Sequence, residues 1–151
     1  FCYPPKDEMT VRHFTEKLTE GVGTGCRIIE YNLYKVFLAI CEDKRIADKI
    51  PDLENKKGHK FVLGHLARIA NNLAFIEKMK VEPHNVGDVI LITGVGEAFP
   101  FIRVHALLDA MQPHFSDVPI LVMYPGTFDC RYVRLFDKLT PNPYYRAFNV
   151  V

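Results

Sequence analysis

The chain has 151 residues, 48% of them hydrophobic and 25% charged, with 19 Lys and Arg against 18 Asp and Glu. That balance excludes an intrinsically disordered chain, which has too few apolar residues to build a core. The formal charge of +1 argues against a broad phosphate-binding surface. The length suits a single domain over residues 1–151. No run of about 20 apolar residues is present, so no membrane-spanning helix is predicted.

The chain opens at Phe1-Cys2-Tyr3 without a Met, and a preceding N-terminal segment is expected. Phe1 to Tyr3 reads as the tail of a strand that Pro4-Pro5 stops. Asp7 to Glu20 reads as a helix: Met9, Val11, Phe14 and Leu18 recur at helical spacing, and Asp7 and Glu8 favour its first turn. Gly21, Gly23 and Gly25 end it. Cys26 to Tyr31 is a short strand. Asn32 caps a second helix, from Leu33 to about Lys44. Arg45 to Gly58 is polar, broken by Pro51 and Gly58, and reads as a connector with one helical turn.

His59 to Lys80 predicts the strongest helix, with Val62, Leu66, Ile69, Leu73 and Ile76 stepping by four and three. Glu82 to Gly87 reads as a turn. Asp88 to Thr93 carries a continuous apolar run, which suits a central parallel strand covered on both faces. After Gly94-Val95-Gly96, Pro100 suits the first turn of a helix whose inner stripe is Phe101, Val104, Leu108 and Met111. Pro119 to Tyr124 is another buried strand, turned by Pro125-Gly126. Leu135 to Leu139 is a short element, and Tyr144 to Val151 reads as a final strand. The alternation predicts an α/β fold: a mostly parallel open sheet of about five strands with helices on both faces, a Rossmann-like three-layer arrangement.

Cys2, Cys26, Cys41 and Cys130 form no C-x-x-C pair, and the first three sit in apolar runs. Reduced thiols, and hence a cytoplasmic protein, are expected. His13, His59, His65, His84, His105 and His114 show no metal-ligand spacing, so neither metal nor other cofactor is expected.

Four groups of residues are candidates for function. Thr93, Gly94, Gly96 and Glu97 lie between a strand and a helix, where glycines let backbone amides approach a phosphate. A tight structural turn explains the same glycines, because no Gly-Lys-Ser/Thr follows and Phe99 replaces a third glycine. Tyr124, Gly126 and Asp129 follow the next strand. They face the glycine turn across one crevice if the two strands are neighbours, or else form a plain turn capped by Asp129. The stretch from Arg131 to Phe148 is rich in Arg and aromatics, including Arg131, Arg134, Tyr144, Tyr145 and Arg146. Such residues suit a protein interface or stacked single-stranded nucleic acid; a buried Arg146–carboxylate pair is the structural alternative. Arg103, His105 and Asp109 share one helix, and the latter two, four apart, can pair. No serine or cysteine nucleophile elbow accompanies them.

The segment Leu91 to His105, together with Val122-Met123-Tyr124-Pro125-Gly126-Thr127-Phe128-Asp129 and Asn142-Pro143-Tyr144-Tyr145-Arg146-Ala147-Phe148, resembles the BrxB family of bacterial BREX phage-defence systems. Ile29 to Tyr34 and the opening Tyr3 to Glu8 share the likeness. The resemblance implies a place in an assembly with a large ATPase, a methyltransferase and a PglZ-type protein, and assigns no catalytic residue. Gly94, Gly96, Pro100, Arg103, Pro125, Gly126, Tyr145 and Arg146 match the family pattern. Cys130 stands where Gly is common, and Asn149 where a basic residue is usual.

The resulting expectation is a non-enzymatic adaptor in such a complex. Its contacts would come from the crevice residues and from Arg103, Arg131, Arg134, Tyr144, Tyr145 and Arg146. Two alternatives are a degenerate nucleotide-binding or nucleotide-hydrolysing domain using Gly94, Gly96 and Asp129, and a DNA-contacting subunit, which the balanced charge disfavours.

Overall fold

The computed structural model describes residues 1–20, 25–80, 83–140, 142–143 and 148–150. Gly21, Gly23, Glu82, Tyr144, Tyr145, Arg146 and Val151, to which the sequence reading gave roles in turns, the last strand and the interface, lie outside them.

Seven α-helices, two short 3-10 helices and seven strands follow one another among the described residues. The strands are β1 (Cys2–Tyr3), β2 (Ile28–Asn32), β3 (Val89–Thr93), β4 (Ile120–Val122), β5 (Tyr124–Phe128), β6 (Tyr132–Leu135) and β7 (Asn142–Pro143). The helices are α1 (Glu8–Thr19), α2 (Leu33–Asp43), α3 (Ile50–Lys57), α4 (His59–Ile69), α5 (Asn72–Met79), α6 (Val95–Ala98) and α7 (Val104–Met111). None of these helices is long and apolar enough to cross a membrane.

The α/β class is as expected, but the single open sheet of about five strands is not what forms. A parallel three-stranded sheet has the order β2-β3-β4, and a second sheet has the order β1-β5-β6-β7. In the second, β1 runs parallel to β5, whereas β6 and β7 are antiparallel to their neighbours. Hydrogen bonding along residues 119–128 explains the division. On one side, Pro119 O accepts from Ile90 N and Met123 N donates to Ile92 O, both at 2.9 Å. Further along the same side, Pro125 O accepts from Phe136 N at 2.8 Å. Strand β3 stops at Gly94, whose φ of 66° turns the chain away, and the antiparallel β6 takes over the vacated ladder. On the other side, Tyr124 N donates to Phe1 O and the Phe1 nitrogen to Val122 O. Beyond β1, Cys2 N donates to Asn149 Oδ1 at 3.2 Å, so a side chain occupies that flank.

The helices cover the two faces unequally. Most of the core lies on one face, where Leu33, Phe37, Phe75, Met79, Ile92 and Leu107 are buried together. The Phe37 and Phe101 rings stack there, 4.2 Å between centroids. On the other face α1 seats Val11 against Tyr3, Leu91 and Met123, a smaller cluster. Burying each large apolar side chain contributes roughly 1.5–3 kcal/mol, so the α2, α4, α5 and α7 side dominates stability.

Three helical expectations change. The polar stretch before Gly58 contains α3, eight residues long with a Pro in its first turn, where a missing N–H costs nothing. The predicted long helix from His59 to Lys80 is two helices. Asn71 Oδ1 accepts from Ala74 N at 3.1 Å, an N-cap that starts α5 afresh. The break shifts the buried stripe to Phe75, Ile76 and Met79, which leaves Leu73 62% exposed. Pro100 follows a cis Phe99–Pro100 peptide between α6 and α7 and does not open a helix.

Candidate functional site

A groove of about 170 Å³ opens where β2 and β3 end beside α1. Its charged groups come from four elements, α1, β2, α2 and α6. Along α1, Glu8 and Arg12 stand one turn apart, and Arg12 Nε donates to Glu8 Oε1 at 3.0 Å. Arg12 Nη2 also reaches Glu97 Oε1 on α6 at 2.8 Å. The Tyr3 hydroxyl on β1 donates to Glu8 Oε2 at 2.6 Å. Between the two strands, the buried Thr93 hydroxyl donates to Glu30 Oε1 at 2.5 Å. Asn32 Oδ1 accepts from Tyr34 N and Lys35 N, both at 3.1 Å, and so caps α2 at the groove's rim.

These contacts shift protonation in a consistent way. Hydrogen bonds that it donates to Glu97 and Glu8 hold the Arg12 guanidinium more firmly charged than usual. Burial, then the bond to Glu8, pushes the Tyr3 hydroxyl well above the ordinary tyrosine range. Glu8, Glu16, Glu30 and Glu97 line the groove against Arg12 and Lys35, so its carboxylates outnumber its cations. Such a lining attracts a cationic group and repels a phosphate.

The sequence-predicted residues do not all meet in one crevice. Thr93, Gly94 and Glu97 meet in the groove. Gly94 takes its left-handed turn directly against the Asn32 side chain, which a Cβ would meet at 2.6 Å. Gly96 faces away from the groove and packs under the Phe136 ring, 2.8 Å from where a Cβ would stand. Gly126 lies against the backbone carbonyl of Arg134. Tyr124 lines a small apolar cleft with Cys2, Val104 and His105, where burial pushes its hydroxyl up to about 12.

Asp129 does not face the glycine turn. Its Oδ1 accepts from Arg131 N at 3.0 Å and Tyr132 N at 2.7 Å, which closes the turn between β5 and β6. Those backbone bonds hold its carboxyl below the usual range. Cys130 in that turn has φ 69°, a conformation glycine adopts more easily. Just beyond it, Asp129 shares a shallow cleft with Thr127, Tyr132 and Arg134.

Arg103, Arg131 and Arg134 are exposed, with Arg103 lying 5.9 Å over the Phe99 ring. His105 is half-buried and makes no ion pair with Asp109; burial, then the nearby Arg103 charge, lowers its affinity for a proton. None of the four cysteines forms a disulfide; Cys41 is buried, whereas Cys26 and Cys130 are exposed.

Sequence reasoning missed Glu8, Arg12, Glu30 and Asn32 as groove residues. Glu30 was the available signal: a carboxylate inside an otherwise apolar strand must face solvent or a partner.

The family model for BREX protein BrxB matches residues 29–150. A BREX protein BrxB from Bacillus cereus (strain H3081.97) is 33% identical over the whole of this chain, which covers 81% of that relative. One from Escherichia coli O9:H4 (strain HS) is 27% identical, again over the whole chain and 76% of the relative. No solved structure matches. The matched span takes in β2, the glycine turn and the Asp129 turn alike, and the chain belongs to the BrxB family of BREX proteins.

Proposed function

We propose that the protein is a non-enzymatic adaptor of a bacterial BREX phage-defence complex, working in the cytoplasm through contacts with other subunits, such as the PglZ-type protein or the large ATPase. The observation that carries this reading is the outward face of the β5–β6 hairpin. Along β6, Val133 and Leu135 are buried while Tyr132 and Arg134 alternate outward into solvent. Tyr and Arg are the residue types that most often dominate binding energy at protein interfaces. The Asp129 turn holds this face in a fixed shape, so little ordering entropy is lost on docking. The nucleotide alternative has weak support, because Gly94 and Gly96 are occupied by packing and the groove beside them is acidic.

The test is co-purification of the tagged full-length protein from cells carrying its whole gene cluster. Other BREX subunits are expected in fixed stoichiometry. Tyr132→Ala and Arg134→Ala are each expected to weaken capture by about 1 kcal/mol or more. Recovery of the wild type alone would remove the adaptor reading, and a thermal shift with millimolar nucleotide would then become the decisive measurement.

A further inference from the structure

Strand β2 forms the outer flank of the parallel sheet and, among the described residues, pairs only with β3. Arg27 O accepts from Val89 N at 2.9 Å, and the register pairs Ile29 with Ile90 and Tyr31 with Ile92. In a parallel ladder alternate residues face the neighbour. The backbone groups of Ile28 and Glu30 therefore turn outward, and among the described residues they bond nothing. The opposite flank differs, because on β4 the Phe1 nitrogen donates to Val122 O.

We propose that the β2 edge receives an extended segment of a partner protein, added as a further strand, with a basic side chain on the groove side and an apolar one on the other. This rests on the adaptor reading and names one of its contacts. Two clefts meet at Glu30–Asn32. One is the acidic groove beside α1. The other, of about 330 Å³, is walled by Tyr31, Val36, Ala39 and Lys78 on the α2 and α5 side. Successive side chains of an added strand point to opposite faces, so each cleft takes alternate residues, as in known modes of β-strand addition. The groove's excess of carboxylates selects a basic side chain. Glu30 also argues against a second copy: antiparallel pairing centred on it would set Glu30 opposite its own counterpart, a repulsive arrangement. A charge on an open edge discourages pairing between like edges, and here the same charge chooses a complementary one.

The experiment uses the full-length chain and short overlapping peptides tiling the other BREX subunits of its gene cluster. Binding is read by fluorescence anisotropy, and amide exchange by NMR. An alternating basic–apolar peptide is expected to bind and to slow exchange at Ile28 and Glu30, leaving Ile29 and Tyr31 unchanged. Glu30→Lys is expected to weaken it roughly tenfold, and replacing the peptide's basic residue with Glu to restore it. Glu30→Gln, which keeps an acceptor for Thr93, is expected to weaken it by less. Subunits that co-purify while no peptide protects these amides would overturn the inference and leave the adaptor reading standing. Subunits and peptides that both fail to bind would end both. Concentration-dependent protection in the chain alone would assign the edge to a second copy and overturn the partner-segment assignment.

Discussion

Gly126 sits at φ 154°, where an added Cβ would stand 2.1 Å from the carbonyl oxygen of Arg134. No rotamer relieves a clash with backbone, so Gly126→Ala is expected to destabilise the fold by roughly 2–4 kcal/mol, measured by urea unfolding. A second residue-scale prediction concerns Asp88, which is buried and held by Arg27 through Nε at 3.2 Å and Nη2 at 2.6 Å. Asn85 N donates to it as well, at 2.7 Å. The Arg27 bond, then the Asn85 bond, lowers its affinity for a proton. Because the folded carboxyl titrates below its unfolded value near 3.9, the stability it contributes is fully present above that value. It is lost as pH falls through the folded pKa. Melting temperatures are expected to fall on acidification below about pH 4, and Asp88→Asn to flatten that fall. The Asp129 turn was legible at this scale, because Asp followed by a tight reversal has a local cause. The packing of Gly96 was not: it depends on Phe136, forty residues later, and no local rule reports that.

Among the elements, those the sequence placed best were β3, α2 and β4, each declared by a local apolar period or run and, for α2, by its Asn32 cap. The division of α4 from α5 was misread because Val62 to Ile76 keeps helical spacing on both sides of the break. The competing signal was Asn71, whose side chain offers the backbone an alternative to the helix. Asn71→Ala removes that cap and is expected to cost about 1 kcal/mol. It is also expected to raise helix content across Ala70–Asn72, read by far-ultraviolet circular dichroism and NMR shifts. Leu107 on α7 is fully buried against the main core. Leu107→Ala is expected to cost roughly 2–5 kcal/mol in chemical unfolding, since the rigid neighbours only partly close the cavity.

At the scale of the whole molecule, residues 119–128 hold the two sheets together, with β3 and β6 on one side and β1 on the other. Neither sheet can lose this segment alone, so unfolding by tyrosine near-ultraviolet signal and by far-ultraviolet signal is expected to coincide in one transition. The sequence showed that parallel strands alternate with helices. It could not show that β6 would replace β3 beside one strand, because that exchange depends on where Gly94 turns the chain in space. The candidate groove was half legible for the same reason: Thr93, Gly94 and Glu97 lie within one five-residue stretch, whereas Glu8, Arg12 and Glu30 arrive from α1 and β2. The two flanks of the parallel sheet are unlike: at β4 the Phe1 nitrogen donates to Val122 O, whereas β2 has no further strand beside it among the described residues. A sheet open on one side has a valence of one. It can end a growing ladder, and through β2 each molecule can contribute one terminus of fixed polarity to whatever it joins.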